Sequence, residues 1–242
     1  MTATPLRLVF DPSGAELAAA RACEAEIFFR TYGNTAAQLQ LEYGPYEDAS
    51  VFMALVKRDG GVVAACRLIT PSPAGLKTLN DAGRPPWLVD GLRSARAARI
   101  DPARTWDVAT IGVRADAGAG RLFAAAALYH GIDLAARVNR IQTIVMIMDE
   151  RARRLLSATG VVTQPLPGTR AAPYLGSAAS TPLYGHLAQM ADVQRRVNPE
   201  AHRLIGQGAG LDGVSVPEPA AFLLADRSVW VPAVNSLLAS SA

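Results

Sequence analysis

Trp106-Asp-Val-Ala-Thr-Ile-Gly-Val113, running into Arg114-Ala-Asp-Ala-Gly-Ala-Gly-Arg121, is the stretch on which the fold turns. Its first half, apolar and rich in β-branched residues, reads as a strand. The turn around Gly118-Ala119-Gly120 then opens a helix reaching about Asn139. On that helix Leu122, Ala126, Tyr129 and Ile132 share one face, while His130, Asp133 and Arg137 share another. Asp133 and Arg137 are spaced to pair at i,i+4. Ile141 to Met148 is a nearly continuous apolar run, of a length that suits a strand covered on both faces. Asp149 supplies an N-cap for the next helix, and Gly160 a stop. Trp106 to Gly160 is thus a strand–helix–strand–helix unit, for which a right-handed crossover is expected.

Upstream, Leu6 to Phe10 reads as a first strand, closed by Asp11-Pro12-Ser13-Gly14. A helix follows, with Ala18, Ala22, Ala25 and Phe29 at helical spacing. Thr31 to Ser50 is polar and turn-rich, and reads as a loop or lid over a substrate. Val51 to Val56 and Val62 to Ile69 flank Asp59-Gly60-Gly61, a hairpin signal. Pro71 to Pro86 reads as loop. Downstream of about Met190 we expect one more helix, a Gly-rich turn from Gly206 to Gly213, and apolar segments between Ala220 and Val234. These elements make an α/β (α+β) chain, with one domain over residues 1–190 and an extension over 191–242 packed on it.

The 242 residues are half hydrophobic and 19% charged, enough to bury a large core. Net charge is +3, and arginine supplies nearly all the positive charge, Lys57 and Lys77 being the two lysines. Arginine forks suit phosphates and carboxylates. Cys23 and Cys66 have neither disulfide nor metal-ligand spacing, so a reducing cytoplasm and no metal are expected. No apolar stretch approaches the ~20 residues of a membrane span.

A strand entering a Gly-x-Gly turn and then a helix presents free backbone N–H groups, which bind phosphate together with the helix dipole. Arg114 and Arg121 flank that turn and can add charge-assisted bonds, making Gly118, Gly120 and both arginines candidate ligands. The plainer reading is a tight helix start. A Rossmann reading is weak, because no glycine completes Gly-x-Gly-x-x-Gly after Gly120. Arg67 ends an otherwise apolar strand and needs a buried partner, for which Asp107 or Asp48 would serve; binding an acceptor carboxylate is the other option. Asp107 is the candidate general base, with structural pairing to Arg67 or Arg104 as its alternative. Tyr184, near His186, is a candidate proton donor or simply a core tyrosine. His130 and His202 are placed on polar helix faces, and Cys66 in the core. Arg151, Arg153 and Arg154 form a charged helix face, which could instead dock an acidic carrier protein or nucleic acid.

In their order, these motifs resemble the GNAT acyltransferase superfamily, in its acyl-homoserine lactone synthase and long-chain N-acyl amino acid synthase branch. The likeness runs from Ala22 to Gly160. It rests on Phe28-Phe29-Arg30, Glu42-Tyr43-Gly-Pro-Tyr-Glu47-Asp48, Ala65-Cys66-Arg67-Leu68, Trp106-Asp107 through Thr110-Ile111-Gly-Val113, and Arg153-Arg154-Leu155-Leu156 with Thr159-Gly160. Asp107 stands where the branch has glutamate and Thr110 where it has arginine, which argues against lactone synthesis. One extra residue separates Arg114 from Gly118 relative to the usual pyrophosphate loop, leaving the donor open.

The resemblance implies a mixed central sheet flanked by helices, with two parallel strands splayed to admit a pantetheine arm. A backbone N–H near Ile111 to Val113 would polarise the thioester carbonyl. Phe29, Arg30, Asp48 and Thr110 would contact substrate. The implied reaction moves an acyl group from acyl-coenzyme A or acyl-carrier protein, used as co-substrate with no covalently bound cofactor, to a small-molecule amine. Two other readings are a transferase using an aminoacyl-tRNA donor and a non-catalytic acyl-CoA or carrier-protein binding module.

Overall fold

The computed structural model describes residues 6–224. In chain order the elements are β1 (Leu6–Phe10), α1 (Gly14–Tyr32), α2 (Ala36–Tyr43), β2 (Ser50–Val56), β3 (Val62–Ile69), α3 (Lys77–Ala82) and α4 (Gly91–Ala97). There follow β4 (Thr105–Val113), α5 (Arg121–Val138), β5 (Thr143–Asp149), α6 (Glu150–Ala158), β6 (Gln164–Pro165), β7 (Ala172–Tyr174), β8 (Ser177–His186), α7 (Leu187–Val197), α8 (Pro199–Gln207) and β9 (Val214–Ser215). The strands form one sheet in the order β6-β8-β5-β4-β3-β2-β1-β9, with β7 alongside β8. Pairing is antiparallel except for β4 with β5 and β1 with β9.

Every residue of β2 and β3 is buried, because the sheet is covered on both faces here. The period of two separates the covers: Phe52, Ala54 and Val56 meet Ala20 and Cys23 of α1, while Val51, Met53 and Leu55 join the core under α5. Helix α5 lies close on the sheet through small residues, Ala124, Ala127, Ala135 and Ala136 all being buried. At Gly131 a β-carbon would sit 2.5 Å from Met53 Sδ and 2.9 Å from Leu8 Cδ2, so glycine is what permits this approach. The hairpin expected at Asp59-Gly60-Gly61 forms, with Gly60 at φ +86°.

Three sequence expectations are corrected. Thr31 to Ser50 is not a lid loop: Thr35 and Gln38 make a capping box for α2, which buries Leu39 and Tyr43, and a 3₁₀ turn over Gly44–Ala49 follows. Pro71 to Pro86 contains α3, whose polar Lys77, Thr78 and Asp81 are buried by tertiary partners that no local periodicity announces. On α5, Leu122 is 74% exposed, whereas His130 is buried, its Nδ1 2.7 Å from the Ile205 carbonyl of α8.

Residues beyond 190 continue α7 and add α8 and β9; Ile205, Leu211, Val214 and Phe222 join the main core. The apolar stretch expected up to Val234 lies mostly outside the described residues. Among those described, no helix is long and apolar enough to cross a membrane.

Candidate functional site

Strands β4 and β5 pair only through Thr105↔Thr143, Trp106↔Ile144 and Asp107↔Val145. Beyond Asp107 and Val145 they part, while β4 stays bonded to β3 as far as Val113, and β5 to β8 as far as Asp149. Both strands are therefore held firmly on their outer edges and open toward each other. A bulge contributes to the divergence: Arg67 pairs with Thr110 and Leu68 with Val108, leaving Ala109 as the extra residue. The Tyr43 hydroxyl donates to the Ala109 carbonyl at 3.3 Å.

Two cavities meet in this opening. One, of about 160 Å³, lies on the α1–α3 side and holds the polar groups: Lys77, Thr78, Asp107, Thr110 and Asp149 line it among aromatic and aliphatic side chains. The other, of about 340 Å³, is an apolar chamber between the sheet, α5, α7 and α8, lined by residues such as Ile144, Leu156, Met190 and Ile205. Val108, Ile111, Tyr129, Met146 and Met148 line both, so the two cavities flank the same parted stretch of β4 and β5.

Asp107 sits where the strands part and is 1% exposed. Thr78 donates to it twice, from the backbone N–H at 2.5 Å and from Oγ1 at 2.9 Å. Burial pushes the Asp107 carboxyl up to about 7, and the Thr78 bonds and the Lys77 charge only partly oppose this. Its structural partner is therefore Thr78, not the Arg67 or Arg104 considered from sequence.

Arg67 is instead the hub of a separate buried network. Nε and Nη2 fork onto Glu24 at 3.0 and 2.7 Å, Nη1 reaches Glu47 at 3.3 Å, and the guanidinium lies 4.7 and 4.6 Å from the Tyr43 and Phe52 ring centroids. Among the described residues its ionic partners are Glu24 and Glu47 alone, so it orients neither Asp107 nor Asp48. Thr110 Oγ1 donates to Glu24 Oε1 at 2.5 Å, joining the bulge to this network.

Lys77 is buried in its own cage. Nζ donates to Glu42 at 2.9 Å, to Asp81 at 2.5 Å and to the Tyr174 hydroxyl at 2.9 Å; Tyr174 in turn donates to Asp81 at 2.5 Å. Burial pulls the Lys77 ammonium down, but Asp81 and Glu42 more than reverse this and hold it charged. Asp149 caps α6 through the Ala152 N–H at 2.8 Å and accepts the Tyr32 hydroxyl.

Of the residues singled out from sequence, Asp107, Thr110 and Ile111 come together on the cavity wall, with Arg67 behind them. Val113 lies farther along β4, opposite Ala64. Arg114 pairs with Glu26 at 2.7 Å and Asp116 at 3.2 Å. Gly118 and Gly120 fall in a 3₁₀ turn, Ala115–Gly120, and Arg121, exposed, opens α5. Among the described residues no side chain caps this helix, and a β-carbon at Gly120 would meet nothing within 4 Å. Phe29 is 59% exposed, Arg30 pairs with Glu26 at its surface, and Asp48 is exposed; none of the three lines either cavity.

Tyr184 lies apart from both cavities. It packs with Leu76, Leu79, Val145 and Leu166 and donates to Gln164 Oε1 at 2.7 Å. His186 is anchored too, Nε2 lying 3.1 Å from the Ala98 carbonyl and Nδ1 3.0 Å from Thr143 Oγ1, which assigns the Nε2–H tautomer. Sequence reasoning missed Lys77, Thr78 and Tyr174; only the rarity of lysine in the chain marked any of them.

No protein-family model matches the chain, and no curated protein matches it. Solved structures do. The CoA-dependent acyl-homoserine lactone synthase BjaI is similar at 17% identity and TM-score 0.54, over 90% of this chain and 96% of that one. FeeM, an N-acyl amino acid synthase from uncultured soil microbes, is similar at 13% identity and TM-score 0.59, over 80% and 96%. The acyl-homoserine lactone synthase LasI is similar at 12% identity and TM-score 0.50, over 80% and 94%. The chain therefore shares its overall fold, a mixed sheet flanked by helices, with these synthase structures.

Proposed function

We propose that the protein is an N-acyltransferase, moving an acyl group from a phosphopantetheine thioester to an amine. The observation that carries this reading is the gap between β4 and β5, flanked by the cavity that holds Asp107 and by an apolar chamber of about 340 Å³. The gap has the shape for an extended arm, with free strand edges to bond it. The chamber suits an aliphatic acyl chain, and the polar cavity suits the incoming amine.

In this reading the thioester carbonyl lies against β4 beyond Asp107, where a backbone N–H in the Ile111 to Val113 stretch stabilises the developing oxyanion. The amine nitrogen attacks, the C–N bond forms, the C–S bond breaks, and the thiol leaves with a proton. Asp107 takes that proton from the attacking amine, directly or through one water, and passes it on to the departing sulfur; a carboxyl poised near neutrality suits that task. Thr78 orients it. In this reading Gly118, Gly120 and the exposed Arg121 meet the donor's phosphate at the start of α5. The donor is acyl-CoA or an acyl-carrier protein; Arg121 and the exposed Arg151 and Arg154 suit the anionic part of either.

The test is to mix the protein with a fatty acyl-CoA and a panel of amines, following thiol release and amide formation. We expect amide in step with thiol, and turnover lower by on the order of 10²–10⁴-fold in Asp107→Asn. Full turnover in that variant would remove Asp107 from the mechanism. Thioester binding without turnover would favour a binding module.

A further inference from the structure

The chamber is apolar along the sheet but not at its far end. It extends back from the parted stretch beneath the joined one, because Ile144, which pairs with Trp106, lines it together with Ile111 and Met148. On α5 the lining follows one face, from Tyr129 beside the gap through Asp133 to Arg137. That span covers about 12 Å of the helix axis. At its end α5 meets α8: His130 Nδ1 lies 2.7 Å from the Ile205 carbonyl, and Arg137 Nη2 donates to the Gly206 carbonyl at 3.3 Å. Here the wall is made by Asp133, Arg137, His202 and Gln207.

One of these groups lacks a partner. His202 Nδ1 is shut off from solvent and makes no hydrogen bond among the described residues, an uncommon state for a ring nitrogen. Glycine at 206 leaves the ring its place, since a β-carbon there would lie 2.9 Å from His202 Cε1 and 3.0 Å from Nδ1. Asp133 pairs with Arg137 at 2.9 Å; burial raises its carboxyl, and the Arg137, His130 and His202 charges only partly oppose this. An anionic chain end would meet Asp133 here and a cationic one Arg137, whereas a hydroxyl is neutral and can both donate and accept. We infer that the acyl group carries a hydroxyl at the far end of its chain, bonded by His202 where α5 and α8 close the chamber. The inference rests on the acyl-transfer reading and narrows its acyl class. A plain alkyl end gives the ring nitrogen nothing to bond, while the hydroxyl supplies the missing partner.

The experiment titrates the full-length protein with thioether analogues of octanoyl-, decanoyl- and dodecanoyl-CoA, each with and without a hydroxyl on its last carbon. Amide formation from the matching thioesters and a panel of amines is followed in parallel. At the chain length that fits best, the terminal hydroxyl should tighten binding about three- to tenfold, the worth of one net hydrogen bond. The same hydroxyl at mid-chain, against Ile144 and Met146, should weaken binding relative to the plain chain. His202→Phe, which keeps a ring and removes both nitrogens, should cancel the preference for the terminal hydroxyl. Plain chains bound as tightly as terminally hydroxylated ones at every length, or a preference unchanged in His202→Phe, overturns the inference, and amide formation then leaves acyl transfer standing. If that variant does not fold, the parent protein decides: equal affinity for terminal and mid-chain hydroxyls overturns the inference. A terminal-hydroxyl preference with no amide from any amine supports the chamber's ligand class and overturns acyl transfer. No analogue bound and no amide overturns both.

Discussion

A carboxyl held in the interior by one threonine sets the behaviour at the scale of single residues. Asp107 keeps its proton up to about pH 7 in the native state, whereas in the unfolded chain it loses it near 3.8. Between those values unfolding releases a proton, so rising pH favours the unfolded state. Asp107→Asn removes this burden while keeping an oxygen for the Thr78 N–H and an amide for the Thr78 hydroxyl. We therefore expect the variant to be at least as stable as the parent at pH 8, with the parent's advantage returning at pH 5, as read from urea midpoints. Turnover of the parent should rise through about pH 7, and the variant should lack that limb. Glu24 has the opposite character, since it neutralises a buried arginine. Glu24→Gln should cost roughly 3–5 kcal/mol in chemical denaturation, the usual penalty for stripping one partner from a buried pair. Neither partnership was legible in the sequence. Asp107 and Arg67 both stood out as polar residues in apolar strands, but Thr78 lies 29 positions from Asp107 and Glu24 43 from Arg67. No spacing rule links residues brought together only by α3 and α1 docking on opposite parts of the sheet.

Among elements, those that carry the gap were the most readable. β4, α5, β5 and α6 follow from runs of apolar residues punctuated by Gly118–Gly120, Asp149 and Gly160, because burial on both faces writes an unbroken apolar strand. Short helices under polar sequence were not readable. α2 depends on a capping box and two buried side chains, and α3 on a lysine cage closed by Tyr174, 97 positions away. The apolar chamber is likewise an element-level feature, made where α7 and α8 leave space beside β5. Ala191 on α7 faces that space. Ala191→Leu should shorten the preferred acyl chain, with each excluded methylene lowering kcat/KM by about fourfold, from about 0.8 kcal/mol per CH₂. A chain-length series of acyl-CoA donors reads this directly. An unchanged length preference would place the acyl chain elsewhere.

Over the whole molecule, one sheet carries both the structural core and the opening through it. On the β1–β3 side, α1 and α5 clamp two fully buried strands. On the far side, β8 pairs with β5 over its full length, from Thr143 to Asp149, while β4 leaves β5 after Asp107. The part of the chain beyond residue 190 contributes to the same core and walls the chamber, which ties the extension to whatever the gap accommodates. The most direct measurement is a crystal structure of the protein with a non-hydrolysable thioether analogue of decanoyl-CoA. The account predicts the pantetheine arm between β4 and β5, its carbonyl oxygen within hydrogen-bond distance of a β4 backbone N–H beyond Asp107, and the alkyl chain in the chamber beside Met190. An analogue bound elsewhere, with the gap still empty, would contradict it.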